Sequence, residues 1–175
     1  MIVQPEWLRW SRIALTTIVL GMALTGCNNV VTTEYEATAT VIYTWQVEYS
    51  PNPDKPIRNR REKFATTSLV NRNGQRPIDA ASGPDNKGLY WPAIPPRPTI
   101  DEIEERTRSS DEVVGSPQLN KDVKYSITYE NQGRTVTLPT NYSVYRQVVK
   151  AYPDRQPLEL TVAGNETFVT KADPR

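Results

Sequence analysis

The chain has no histidine and a single cysteine, Cys27. Without histidine, neither a Ser-His-Asp triad nor a Cys-His pair can be assembled. Zinc sites built on imidazoles or on several thiolates are excluded with them. A lone cysteine permits no intrachain disulfide. A surplus of one charge sign is also missing, since 21 Lys and Arg stand against 20 Asp and Glu in 175 residues. Setting aside Arg9, Arg12 and Glu6 leaves residues 27–175 at 19 against 19. Nucleic-acid binding rests on a cationic surplus that neutralises phosphates, so this balance speaks against it. It also speaks against a strong electrostatic hold on anionic lipid. Carboxylate pairs, Ser-Lys dyads and oxygen-ligand cations are the chemistry left open. No cofactor motif is present, neither a P-loop nor a dinucleotide glycine pattern.

Long apolar runs are scarce as well. The uncharged stretch from Ile13 to Gly26 is 14 residues. As a helix it spans about 21 Å at ~1.5 Å per residue, against a hydrocarbon core of roughly 30 Å. A permanent transmembrane helix is therefore disfavoured. What precedes and follows the run gives it another meaning. Arg9 and Arg12 form a cationic start, the run from Ile13 to Leu24 is apolar, and small residues lead to Cys27. That order is the signature of an export signal.

Leu24-Thr25-Gly26-Cys27 resembles the lipobox of bacterial lipoproteins. The resemblance covers residues 1–27 and implies cleavage between Gly26 and Cys27, with diacylglycerol on the Cys27 sulfur and a further acyl chain such as palmitate on the new amino terminus. It further implies a membrane location, lipid-anchored on the exported, periplasmic or extracytoplasmic face. Two or three acyl chains hold a protein stably, because each buried methylene contributes about 0.8 kcal/mol. On this reading residues 1–26 are signal peptide, 27–38 are lipidated terminus and polar tether, and 39–175 are one domain with a proline-rich insertion at about 76–98.

The domain reads as mainly β, a small antiparallel sheet or open barrel-like unit with one short acidic helix. Val41, Tyr43, Trp45, Val47 and Tyr49 alternate with polar residues, the pattern of a half-buried strand. Phe64 to Val70 is a second strand, and Asn73-Gly74 a turn. The basic run Arg58, Arg60, Arg61 and Lys63 reads as a solvated loop in preference to a phosphate or lipid-headgroup contact. Thr99 and Glu102 form a capping box for a helix running to about Thr107, with acidic residues first and Arg106 and Arg108 last. Ser109 to Asn120 reads as a flexible loop. Val123, Tyr125, Ile127 and Tyr129 alternate in a strand that returns through a three-residue loop, Asn131-Gln132-Gly133. Asn141 to Tyr152 fits both periods, and a helical turn followed by a strand is favoured. Leu158–Val162 and Thr167–Thr170 pair around Gly164-Asn165.

Six prolines, Pro77, Pro84, Pro92, Pro95, Pro96 and Pro98, rule out helix or central strand over 76–98. Leu89 to Pro98 is expected to be extended and polyproline-like. It either straps over the domain's own core, which is favoured, or presents its apolar groups to a partner. Tyr90, Trp91, Pro92, Ile94, Pro95 and Pro96 are accordingly the candidate interaction residues.

Function is expected to be non-catalytic: an accessory, assembly or interaction protein at the membrane or cell envelope, with a protein partner in a membrane or envelope complex. The alternative is a glycan- or small-ligand-binding module using Trp45, Trp91 and the tyrosines. A carboxylate-based hydrolase needs two facing acids at about 5–10 Å, and no pair stands out.

Overall fold

A computed structural model describes residues 28–51 and 59–175. Its spine is β2, Tyr35–Ser50, which extends the expected alternation over sixteen residues. The odd-numbered residues Tyr35, Ala37, Ala39, Val41, Tyr43, Val47 and Tyr49 are all buried. The even-numbered ones are half-buried on the opposite face. The other strands are β1 (Asn28–Thr32), β3 (Arg60–Arg72), β4 (Val113–Val114), β5 (Gln118–Asn131), β6 (Arg134–Thr140), β7 (Leu158–Val162) and β8 (Val169–Pro174). Among the described residues the helices are α1 (Ile100–Glu104) and α2 (Tyr142–Ala151). The protein is mainly β, as its alternation predicts. The strands form one open sheet ordered β1-β7-β8-β6-β5-β2-β3, with β4 added beside β2.

β2 pairs antiparallel with β5 from Tyr35↔Tyr129 to Gln46↔Gln118 without a break. Against β3 its register shifts between Thr44 and Gln46, where Phe64 and Ala65 together face Trp45. That extra residue is a β-bulge, which bends and twists the edge strand. The pairs are antiparallel throughout, save a single parallel contact, Thr140↔Val169, between β6 and β8.

Three covers lie in succession along the odd face of β2. At its start α2 lies against β2, β5 and β8. Ala37 and Ala39 are small enough to let the helix approach, and Val144, Tyr145, Val148 and Ala151 fill the contact. In the middle lies the proline-rich segment. At the far end α1 covers Val47 and Tyr49 with Ile103.

Several expectations are corrected. Residues 28–38 are no tether: β1 pairs with β7 from Asn28↔Val162 onward, and β2 begins at Tyr35. Ala37 and Ala39 are poor strand formers in isolation, yet burial against α2 makes them core. Residues 141–152 are one helix, not a turn and a strand. Asn141 caps it, accepting from Val144 N–H at 3.0 Å. Four residues at helical spacing then face the sheet, which outweighs the local two-residue alternation. α1 stops at Glu104 because Ile100 faces solvent and only Ile103 is buried, leaving no apolar face for another turn. The capping box itself is formed as expected. Ser109–Asn120 contains β4 and the start of β5 rather than a continuous loop. The β5–β6 connection is two residues, Gln132 and Gly133, both at positive φ, since Asn131 pairs with Arg134. This is the arrangement that matches the twist of a hairpin.

Candidate functional site

The proline-rich segment lies over the middle of β2. Leu89, Pro92, Pro95 and Pro98 are buried. Burial recurs at every third residue, so one face of the segment is turned inward along its length. Ala93, Ile94, Pro96 and Arg97 are exposed between them. Ile94 retains 60% exposure, and Leu89 none.

A strap without prolyl N–H groups needs other fastenings, and side chains of the sheet supply them. Thr67 Oγ1 donates to the Ala93 carbonyl at 2.7 Å, and Trp45 Nε1 to the Pro95 carbonyl at 2.9 Å. The Asn71 amide both donates to and accepts from the Tyr90 backbone. Trp91 pairs with Ser82 through the backbone, so residues 82–91 fold back as a small loop. Gly83 sits inside that loop at φ +116°, where a Cβ would meet the Leu89 carbonyl and Tyr90 Cα at 2.8 Å.

Between this loop and the sheet opens a groove of about 570 Å³, lined by Tyr43, Ser82, Asp85, Lys87, Trp91 and Lys121 among others. Its floor is aromatic, with the Trp91 and Tyr43 ring centroids 5.0 Å apart and tilted by 33°. Asp85 fixes the indole, accepting from Trp91 Nε1 at 2.9 Å. Its other oxygen accepts the N–H groups of Lys87 and Leu89 at 2.8 and 2.9 Å. Desolvation alone would raise the Asp85 carboxyl, but the donors from Leu89, Trp91 and Lys87 outweigh it and hold it below the ordinary range. The Lys121 ammonium stands 5.4 Å from the Tyr43 centroid and 5.5 Å from that of Trp91. Lys87 lies 5.4 Å from the Tyr142 ring.

A second cluster of charge, at the far end of β2, is structural. Arg60 holds Glu112 by two bonds, at 3.0 and 2.9 Å, and Glu62 by a third. Its guanidinium also lies 4.0 Å over the Tyr49 ring. Of the basic run expected as a solvated loop, Arg58 lies outside the described residues, while Arg60 opens β3 and ties the segments after α1 and before β4 to the sheet. Arg106 leaves the helix to lie over Phe64 and donate to the Lys63 carbonyl at 2.7 Å.

The six candidate interaction residues divide by position. Pro92 and Pro95 face inward, Ile94 and Pro96 outward, and Tyr90 and Trp91 are half-buried. Trp45 is half-buried and tied to Pro95. Gly26 and Cys27 lie outside the described residues. Sequence reasoning missed Tyr43, Asp85, Lys87 and Lys121 as a group, because only the loop and the β2–β5 register bring them together. Among the described residues, no cluster of His, Cys, Asp or Glu is placed to hold a metal ion. Nor is any helix among them long and apolar enough to cross a membrane.

No protein-family model matches the chain, and it has no match among curated proteins or solved structures.

Proposed function

We propose that this is an exported lipoprotein, anchored through Cys27, whose β domain is a non-catalytic interaction module at the membrane or cell envelope. The observation that carries the reading is the strap. It is fixed at Tyr90, Ala93 and Pro95 by buried or half-buried side chains of the sheet, yet it turns Ile94 and Pro96 to solvent. An apolar group displayed on a stiff backbone binds a partner with little loss of conformational entropy. The lipid anchor rests on the Leu24-Thr25-Gly26-Cys27 sequence.

The position of Asn28 supports an anchored geometry. It lies one residue beyond Cys27 and already belongs to the sheet. It shares a cavity with Tyr129 and Asn131, beside the start of β2. A lipid on Cys27 would hold that end of the domain against the bilayer. β2 then leads away for roughly 50 Å at ~3.3 Å per residue, carrying the strap and α1 outward.

Two variants of the full chain test the reading. Cys27→Ser should leave the membrane fraction or remain unprocessed, and normal acylation of that variant would refute the anchor. Ile94→Asp should keep the fold and lose partners that co-purify with the wild type from native membranes. Unchanged co-purification would remove the strap's role. Deleting Leu89–Pro98 is a poorer test, since Leu89 belongs to the core.

A further inference from the structure

The groove beside the strap has a chemistry that the interaction reading leaves unused. Its floor is an aromatic pair held at fixed orientation, because Asp85 pins the Trp91 indole and Tyr43 is buried in β2. Its rim carries two ammonium groups, Lys87 and Lys121. Neither forms an ion pair among the described residues. Among the described residues, Asp85 is the only carboxylate lining the groove. It is committed to three donors of its own loop, which offset part of its negative charge. Ser82 and Asn86 add exposed polar edges. The volume, about 570 Å³, falls within the span of small-molecule sites, about 300–1,000 Å³.

We infer that this groove binds an acidic saccharide, a sugar that carries a carboxylate. The flat C–H face of a pyranose ring suits the exposed part of Trp91, and its hydroxyls suit the polar rim. A ring carboxylate would pair with Lys121, whose ammonium already stands over both aromatic rings. Charge-assisted bonds of that kind are about twice as strong as neutral ones. A neutral sugar could stack but would leave both ammonium groups unpaired. The site goes beyond the proposed interaction role and is independent of the lipid anchor. It is also separate from the outward face of Ile94 and Pro96, so its failure would leave that reading standing.

The test is calorimetric titration of the full-length chain in detergent with a glucuronate-containing tetrasaccharide, against a neutral glucose tetrasaccharide. Saturable binding of the acidic sugar is expected, at least about tenfold tighter than the neutral one. Lys121→Gln is an exposed change that removes two cation–π contacts, so it should lower thermal unfolding only slightly and weaken acidic-sugar binding about tenfold. Trp91→Leu should abolish binding of both sugars. Because Trp91 also packs in the strap, its unfolding curve is measured alongside, and Lys121→Gln decides if that variant is unstable. The inference is overturned if the acidic sugar does not bind, if both sugars bind equally, or if Lys121→Gln binds as the wild type does.

Discussion

Asn71 and Tyr90 are joined by a two-bond ring: Asn71 Nδ2 donates to the Tyr90 carbonyl at 3.0 Å, and the Tyr90 N–H donates to Asn71 Oδ1 at 2.8 Å. Asn71 has no exposed surface. Its amide acts as a one-residue strand, offering the strap the donor and acceptor that a neighbouring backbone would supply. A buried backbone group without a partner costs about 1–3 kcal/mol, so this residue decides whether Leu89 and Trp91 stay docked.

Asn71→Ala is therefore expected to destabilise the domain by about 2–4 kcal/mol, since both Tyr90 groups lose their partner. Denaturant unfolding measures it. Asn71→Asp should be no better at neutral pH, because an ionised carboxylate cannot donate to the Tyr90 carbonyl and is buried as a charge. Its stability should rise on acidification, when the protonated acid regains a donor. A neutral result for both variants would show that the strap is held elsewhere.

Glu112 ties pH to the far end of β2. Its side chain is 4% exposed and meets Arg60 at two atoms. Hydrogen bonds from Arg60, first, and from the Arg108 N–H hold its carboxyl below the ordinary glutamate range. The unfolded chain then binds the proton more readily than the folded one. The stabilisation is complete above the unfolded value, about pH 4.3, and is lost as pH falls through the lower folded value. Glu112→Gln should flatten this acid limb of the unfolding curve and lower stability at neutral pH. An acid limb unchanged in that variant would assign acid sensitivity to other carboxylates.

How far the sequence could be read follows from where each signal resides. Val41 to Tyr49 and Val123 to Tyr129 carry their own alternation, and Thr99 with Glu102 carries its own cap, so local inspection finds them. The start of β2 was hidden, because Ala37 and Ala39 become core only when α2 arrives from more than a hundred residues downstream. α2 itself was ambiguous, since Tyr145, Gln147, Val149 and Ala151 alternate as a strand does. Burial of Tyr145 and Val148 against the sheet settles it as a helix. The Arg60–Glu112 pair spans 52 residues, so nothing local in the basic run signals it. That the strap is neither helix nor central strand follows from its prolines. Which side of it faces inward depends on Asn71, Thr67 and Trp45, none of which signals the contact locally.

Tyr145 places a second pH limit on the domain, at the alkaline end. It is 2% exposed, and its ring lies 5.1 Å from that of Tyr125. Burial, with a smaller contribution from Tyr125, pushes its phenol up to about 12. An unfolded tyrosine ionises near pH 10. Between those values the folded chain keeps a proton that the unfolded chain has released, so stability falls as pH rises, by up to about 1.4 kcal/mol per pH unit. Below pH ~10 the effect vanishes, because both states are neutral. Tyr35, Tyr49, Tyr125 and Tyr129 are raised by burial in the same direction and add to the slope. Tyr145→Phe should flatten the alkaline limb more than Tyr125→Phe does, when denaturant unfolding is followed from about pH 9 to about pH 11.5. Equal slopes in the wild type and in Tyr145→Phe would mean that the helix α2 contact opens before the phenol ionises.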